Sequence, residues 1–158
     1  MDPMTAATQI RPAAASVLVL TRVLDAPRAL VWKAWTEPDR LARWWGPRGF
    51  TLASCTLDFR PGGGYRFHMR SPEGNDHWLA GTYREIVAPE RFVCTFAWLD
   101  EAGRPKHEML LEMSLADRDG KTELTLRQTK LESATARDQH RVGWTESLDR
   151  LVEYLATT

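Results

Sequence analysis

The side chains in this sequence whose chemistry is easiest to name are its four histidines, His68, His77, His107 and His140. An imidazole near neutral pH can act as a general base, a general acid or a metal ligand. No two of them stand four apart, and no cysteine or acidic cluster completes a ligand set, so no metal site is expected. His68 shares strand phase with Arg66 and Arg70, opposite Tyr65, Phe67 and Met69, and is assigned to solvent. His77 opens a strand beside a turn and is read as surface. His107 is in phase with Met109, Leu111, Met113 and Leu115, which directs it inward near a cavity mouth. His140 lies four residues before Trp144, at the edge of an apolar helical face, and is the leading polar candidate for a pocket.

Other chemistry finds little footing. Glu85, Glu108 and Glu112 alternate outward, away from the desolvated setting an acid or base needs. There is no nucleophile elbow and no dinucleotide fingerprint. Gly62, Gly63 and Gly64 join two strands instead of opening a helix, which makes a turn and not a phosphate cradle. No catalytic residue and no cofactor are assigned. Cys55 and Cys94 stand far apart with no CxxC, and no secretory-type segment precedes them. Free thiols and a cytoplasmic location are expected.

Charge narrows the partners. Lys plus Arg and Asp plus Glu each number 21, so no global basic field exists to hold nucleic acid. No run reaches the roughly 18 apolar residues of a membrane span. From Pro38 to Arg70, Arg40, Arg43, Arg48, Arg60, Arg66 and Arg70 face only Asp39 and Asp58, a local balance of +4. Clustered, they would attract an acidic partner or a ligand carboxylate; a solvated face is the commoner outcome. Seven tryptophans suit both cores and pockets. Of the pair Trp44-Trp45, one ring is expected in the core and the other partly exposed, as a lid or partner contact.

The elements that must position these groups follow from periodicity. Met1 to Ala15 is an aperiodic tail, and 16–158 is one domain. Ser16 to Leu24 reads as a strand. Pro27 to Thr36 and Asp39 to Trp44 read as short helices, with Asp25 a candidate cap. Six strands joined by hairpin turns follow, between Phe50 and Gln128, the last turn at Asp117 to Gly120. From about Ser133 to Leu155 the chain forms its longest helix, with Trp144, Leu148, Leu151 and Leu155 on one face. Gly143 costs that helix about 1 kcal/mol relative to alanine, so it marks either close packing or room beneath the helix.

Several stretches carry a resemblance. They are Ala26-Pro-Arg-Ala-Leu-Val-Trp-Lys-Ala-Trp-Thr36, Leu41-Ala-Arg-Trp-Trp-Gly-Pro47, Asp58-Phe-Arg-Pro-Gly-Gly63, Gly81-Thr-Tyr-Arg-Glu-Ile86, Pro89-Glu-Arg-Phe92, and Gly143-Trp144 with Leu148 and Leu151. In this order and spacing the chain resembles the bacterial homologues of the heat-shock protein 90 ATPase activator, within the START-like (SRPBCC) superfamily. The resemblance implies an α+β helix-grip fold: a curved antiparallel sheet of about seven strands around a long C-terminal helix, with two short helices after strand one. It also implies a deep apolar cavity between sheet and helix. Where relatives often carry His after the Leu-x-Leu of the last strand, this chain has Gln128.

The residues expected to line that cavity are Val31, Trp35, Leu41, Trp44, Phe67, Trp78, Tyr83, Phe96, Trp98, Met109, Leu111, Met113, Trp144 and Leu148, with His140, Gly143 and Ser147 marking where it opens. Binding of a small hydrophobic molecule is the leading expectation. An enzyme of cyclase, aromatase or hydrolase type on an aromatic substrate is the alternative, and it needs His140, Tyr83 and His107 to converge. A chaperone-associated stress-response module ranks third. A homodimer is open to the chain, though no sequence feature establishes one.

Overall fold

The computed structural model describes residues 15–158. The tail expected over Met1 to Ala15 lies, but for its last residue, outside the described residues. Seven strands and three helices follow in the expected order. Strand β1 spans Leu18–Leu24. Helices α1, Arg28–Thr36, and α2, Pro38–Trp44, come next. Strands β2 to β7 are Thr51–Leu57, Gly64–Arg70, Asp76–Val87, Arg91–Trp98, Met109–Arg118 and Lys121–Thr129. Helix α3 is Ala134–Leu155.

The strands form one antiparallel sheet in the order β1-β7-β6-β5-β4-β3-β2. Short hairpin connections make β2 through β7 sequential neighbours, and β1 closes onto β7. The sheet curls as a half-barrel around α3. Its inner face is written by period-two alternation. Leu111, Met113 and Leu115 stand opposite Gln128, Leu126 and Leu124 in register, and all six are buried. Against this face α3 lays Trp144, Leu148, Leu151 and Leu155, all buried as their spacing requires. Each such side chain stabilises the fold by about 1.5–3 kcal/mol.

Some local expectations are corrected. Asp25 does not cap α1: the N-cap residue is Pro27, with no side-chain bond. The capping side chain is that of Ser133, whose Oγ accepts from Ala136 N at 3.1 Å and starts α3. Strand β6 runs from Met109 to Arg118, past the Asp117 at which the last turn was expected to begin. Its turn is the pair Asp119-Gly120, both at positive φ, the two-residue geometry that matches strand twist.

The pair Trp44-Trp45 also departs from expectation, because both rings are buried. Trp44 Nε1 donates to the Ala34 carbonyl at 3.0 Å, joining α2 to α1. Trp45 turns the other way. It meets Trp144 and Phe67 edge to face, each at 5.1 Å. Trp35 completes this aromatic centre, 4.8 Å from Trp44 and 6.1 Å from Trp144.

Four arginines of the +4 segment are paired with acidic or polar side chains. Arg40 bonds Glu37 and Tyr154, Arg48 pairs with Glu153, Arg60 with Asp58, and Arg70 with Asp76. Among the described residues no helix is long and apolar enough to cross a membrane.

Candidate functional site

The aromatic centre plugs the middle of the grip, and the space lies to one side of it. A pocket of about 500 Å³ opens between the first half of α3, the loop from Trp45 to Phe50, and one end of β3, β4 and β5. Helix α3 contributes Gln139, His140, Gly143, Trp144 and Ser147. The strands supply Met69, His77, Leu79, Phe96 and Trp98. The loop supplies Trp45, Gly46, Pro47 and Phe50. His77 and Gln139 are the exposed members of this lining and form the rim, with Phe50 half-buried beside His77.

Arginine holds the loop wall in place. Arg150 Nη1, on α3, faces four backbone oxygens: Gly46 at 3.0 Å, Pro47 and Phe50 at 3.2 Å, and Trp45 at 3.3 Å. One nitrogen with two hydrogens shares them among four acceptors. Arg48 N adds a bond to Glu146 at 2.9 Å. The wall is thus tied to α3 by polar contacts, with Gly46 and Gly49 at positive φ supplying the sharp turns.

The inner wall carries a hydrogen-bonded relay. Gln128 is fully buried between Leu18 and Leu111 in register. Its Oε1 lies 3.0 Å from Trp144 Nε1 and 2.9 Å from His140 Nδ1. His140 Nε2 lies 3.4 Å from Trp98 Nε1. An indole N–H only donates. So the amide turns its oxygen toward Trp144, His140 donates from Nδ1, and Nε2 accepts from Trp98. The imidazole is therefore neutral in one tautomer. Burial favours the same form and lowers the His140 pKa below its ordinary 6.5. Ser147 Oγ donates to the Gly143 carbonyl at 2.9 Å. The inner wall is consequently apolar and aromatic, with the donors of Trp98, His140, Trp144 and Ser147 engaged, while His77 and Gln139 present polar groups at the rim.

Of the expected lining residues, Phe96, Trp98, His140, Gly143, Trp144 and Ser147 border this pocket. The others do not. Val31, Trp44, Met109, Met113 and Leu148 are packed in the core. Trp35, Leu41, Phe67, Tyr83 and Leu111 border a separate core gap of about 20 Å³. Trp78 faces the outer side of the sheet. It stacks on His68, centroids 4.2 Å apart and planes within 2°, with the Arg66 guanidinium 4.8 Å from its ring centre. Strand parity explains it, since Leu79, Gly81 and Tyr83 point inward and 78 cannot share their face. The same parity brings His77 to the rim, 5.7 Å from the Phe50 ring, where it had been read as plain surface.

His107 is likewise corrected. It precedes β6, stands half-exposed, and its Nε2 contacts the Lys130 carbonyl at 2.5 Å, outside the pocket. Tyr83 is buried among Phe59, Tyr65 and Phe92, and burial pushes its hydroxyl pKa upward. His140, Tyr83 and His107 therefore do not converge on one point. Gly143 faces the loop: a Cβ there would meet Pro47 Cγ at 3.7 Å, an ordinary contact. The glycine leaves room and does not serve a tight backbone approach. Both cysteines are free.

Sequence phase could have found Leu79 and Met69, which alternate with Tyr83 and Phe67. Pro47 and Phe50 carry no such signal, because a loop has no period.

Comparison with known proteins agrees with this architecture. The family described as Activator of Hsp90 ATPase homolog 1-like protein matches residues 25–156. A solved protein of Chromobacterium violaceum is 31% identical, with TM-score 0.78, covering 89% of this chain and 96% of its own. A Nitrosomonas europaea protein is 29% identical, with TM-score 0.77, covering 91% and 96%. The AHSA1 protein of Silicibacter pomeroyi is 25% identical, with TM-score 0.83, covering 90% and 99%. No curated protein matches the chain.

Proposed function

Because this chain belongs to the Activator of Hsp90 ATPase homolog 1-like family, within which fold alone does not specify activity, we propose that it binds a small, largely apolar molecule beneath α3. The observation that carries this is the pocket of about 500 Å³ walled by Trp45, Phe96, Trp98 and Trp144. That volume falls in the range of about 300–1,000 Å³ usual for small-molecule sites. The cleft is open to solvent, and a ligand seated there would take the apolar surface of four aromatic rings out of water. The relay keeps the wall's strongest donors engaged, which favours an uncharged guest over an ionised one.

The test uses N-phenyl-1-naphthylamine, a neutral probe that brightens in apolar surroundings. One equivalent is expected to bind with quenching of tryptophan emission. Gly143→Phe, which sends a ring into the pocket, is expected to abolish that binding while the variant still unfolds cooperatively. Absence of saturable binding by the wild type removes the proposal.

A further inference from the structure

One polar atom of the core lacks a partner. Among the described residues, Trp35 Nε1 is the buried side-chain nitrogen or oxygen with no hydrogen bond, on a residue only 2% exposed. An indole N–H left so has lost its water and gained nothing. In a native core such an atom marks the place of a water, an ion or a ligand. Trp35 borders the core gap of about 20 Å³, together with Trp45, Tyr65, Phe67, Tyr83 and Phe92. That space suits a single oxygen-sized group. Aromatic faces dominate its walls, and they hold an N–H more weakly than an oxygen does.

Trp45 separates this gap from the pocket, and it is the residue that borders both. Its ring stands edge to face with both Trp35, at 5.7 Å, and Trp144, at 5.1 Å, and those two rings stack on each other at 6.1 Å. Trp45 is the C-cap of α2, with extended backbone before Gly46 at φ 108°; its N–H still bonds the Leu41 carbonyl at 2.9 Å, so the main chain is held and any movement falls to the side chain.

Resting on the ligand-binding reading above, we propose that the guest is an apolar body bearing one hydrogen-bond-accepting oxygen, such as a ketone, ether or ester. The Trp45 ring turns aside to admit it, and the oxygen enters the gap to accept from Trp35 Nε1. No charged side chain borders the gap, so a carboxylate would arrive there uncompensated. Tyr65 donates its hydroxyl to the Thr95 carbonyl at 2.5 Å and so is not free to compete for the guest's oxygen.

The experiment compares 2-acetylnaphthalene with 2-ethylnaphthalene, two probes of matched shape of which only the first carries an acceptor. In the wild type the ketone is expected to bind at least tenfold tighter. The ¹⁵N-labelled Trp35 indole resonance is expected to move downfield with the ketone alone. Trp35→Phe should erase the tenfold difference, the two probes binding equally to that variant, whereas a ketone preference that survives in it overturns the inference. If that variant fails to fold, the wild-type indole resonance decides. Equal binding of both probes with a silent Trp35 resonance overturns this inference and leaves the pocket reading standing. So does a persistent contact between the Trp35 N–H and water while the ketone is bound. Failure of both probes to bind overturns the two together.

Discussion

Gln128 Oε1 lies 3.0 Å from Trp144 Nε1 and so ties the last strand of the sheet to the long helix that the sheet grips. The same oxygen receives His140 Nδ1–H, one turn earlier on the helix. Two buried donors thus depend on one acceptor, at the inner wall of the pocket.

Removing that acceptor while keeping the volume is expected to be costly. Gln128→Leu leaves the Trp144 and His140 N–H groups without partners, and each such loss costs about 1–3 kcal/mol. A destabilisation of about 2–5 kcal/mol is expected, read from urea unfolding midpoints. A change below about 0.5 kcal/mol would show that the relay does not contribute to stability.

His140 makes stability depend on pH. Its folded pKa lies below the ordinary 6.5 because burial disfavours the charged ring. The unfolded chain then binds the proton more readily, so stability rises with pH through this region. The contribution is full above about 6.5, the ordinary histidine value, and falls away as the pH drops below it. Protonation would also set an N–H against the Trp98 N–H, since Nε2 could no longer accept. The thermal midpoint of the wild type is expected to fall between pH 7 and pH 5. His140→Gln should flatten that fall; an equal slope in both proteins would show that other groups set it.

Gly143 trades helix stability for space. Its Cβ position is 3.7 Å from Pro47 Cγ, so alanine fits without a clash. Gly143→Ala is expected to stabilise the protein by about 0.5–1 kcal/mol through helix propensity. Calorimetry checks this, and a loss of stability would reveal a constraint beyond those described.

Arg150 anchors the loop wall through the carbonyls of Trp45, Gly46, Pro47 and Phe50. Arg150→Met keeps much of the aliphatic stem and removes the donors. A stability loss of about 1–3 kcal/mol is expected, as for hydrogen bonds from a charged group. Amide exchange over residues 46–50 should accelerate more than exchange in β6 and β7. Uniform acceleration would mean that the arginine supports the whole fold and not the loop.

Much of the fold was legible from residue order. The 4-3-4 spacing of Trp144, Leu148, Leu151 and Leu155 marked the inner face of α3, and alternation marked Leu111 and Met113 on β6. His140, Gly143 and Ser147 border the pocket because they share one side of that helix. Trp78 falls outside the pocket because its size and aromatic character do not set its direction; it is out of phase with Leu79 and Tyr83 and pairs with His68 on the outer face. His107 misled because phase was carried past the end of its strand.

By itself the sequence determined which face of each element is apolar, the order of the elements and the family, since these depend on local period and on matched stretches. Only the tertiary structure decided where the grip is filled and where it is open. Trp35, Trp44, Trp45 and Trp144 arrive from three separate places in the chain, and how their rings interleave depends on volumes and angles between elements that no spacing encodes. The same holds for Gln128. An isolated polar residue on an inward face reads as a departure, until folding sets His140 and Trp144 against its oxygen.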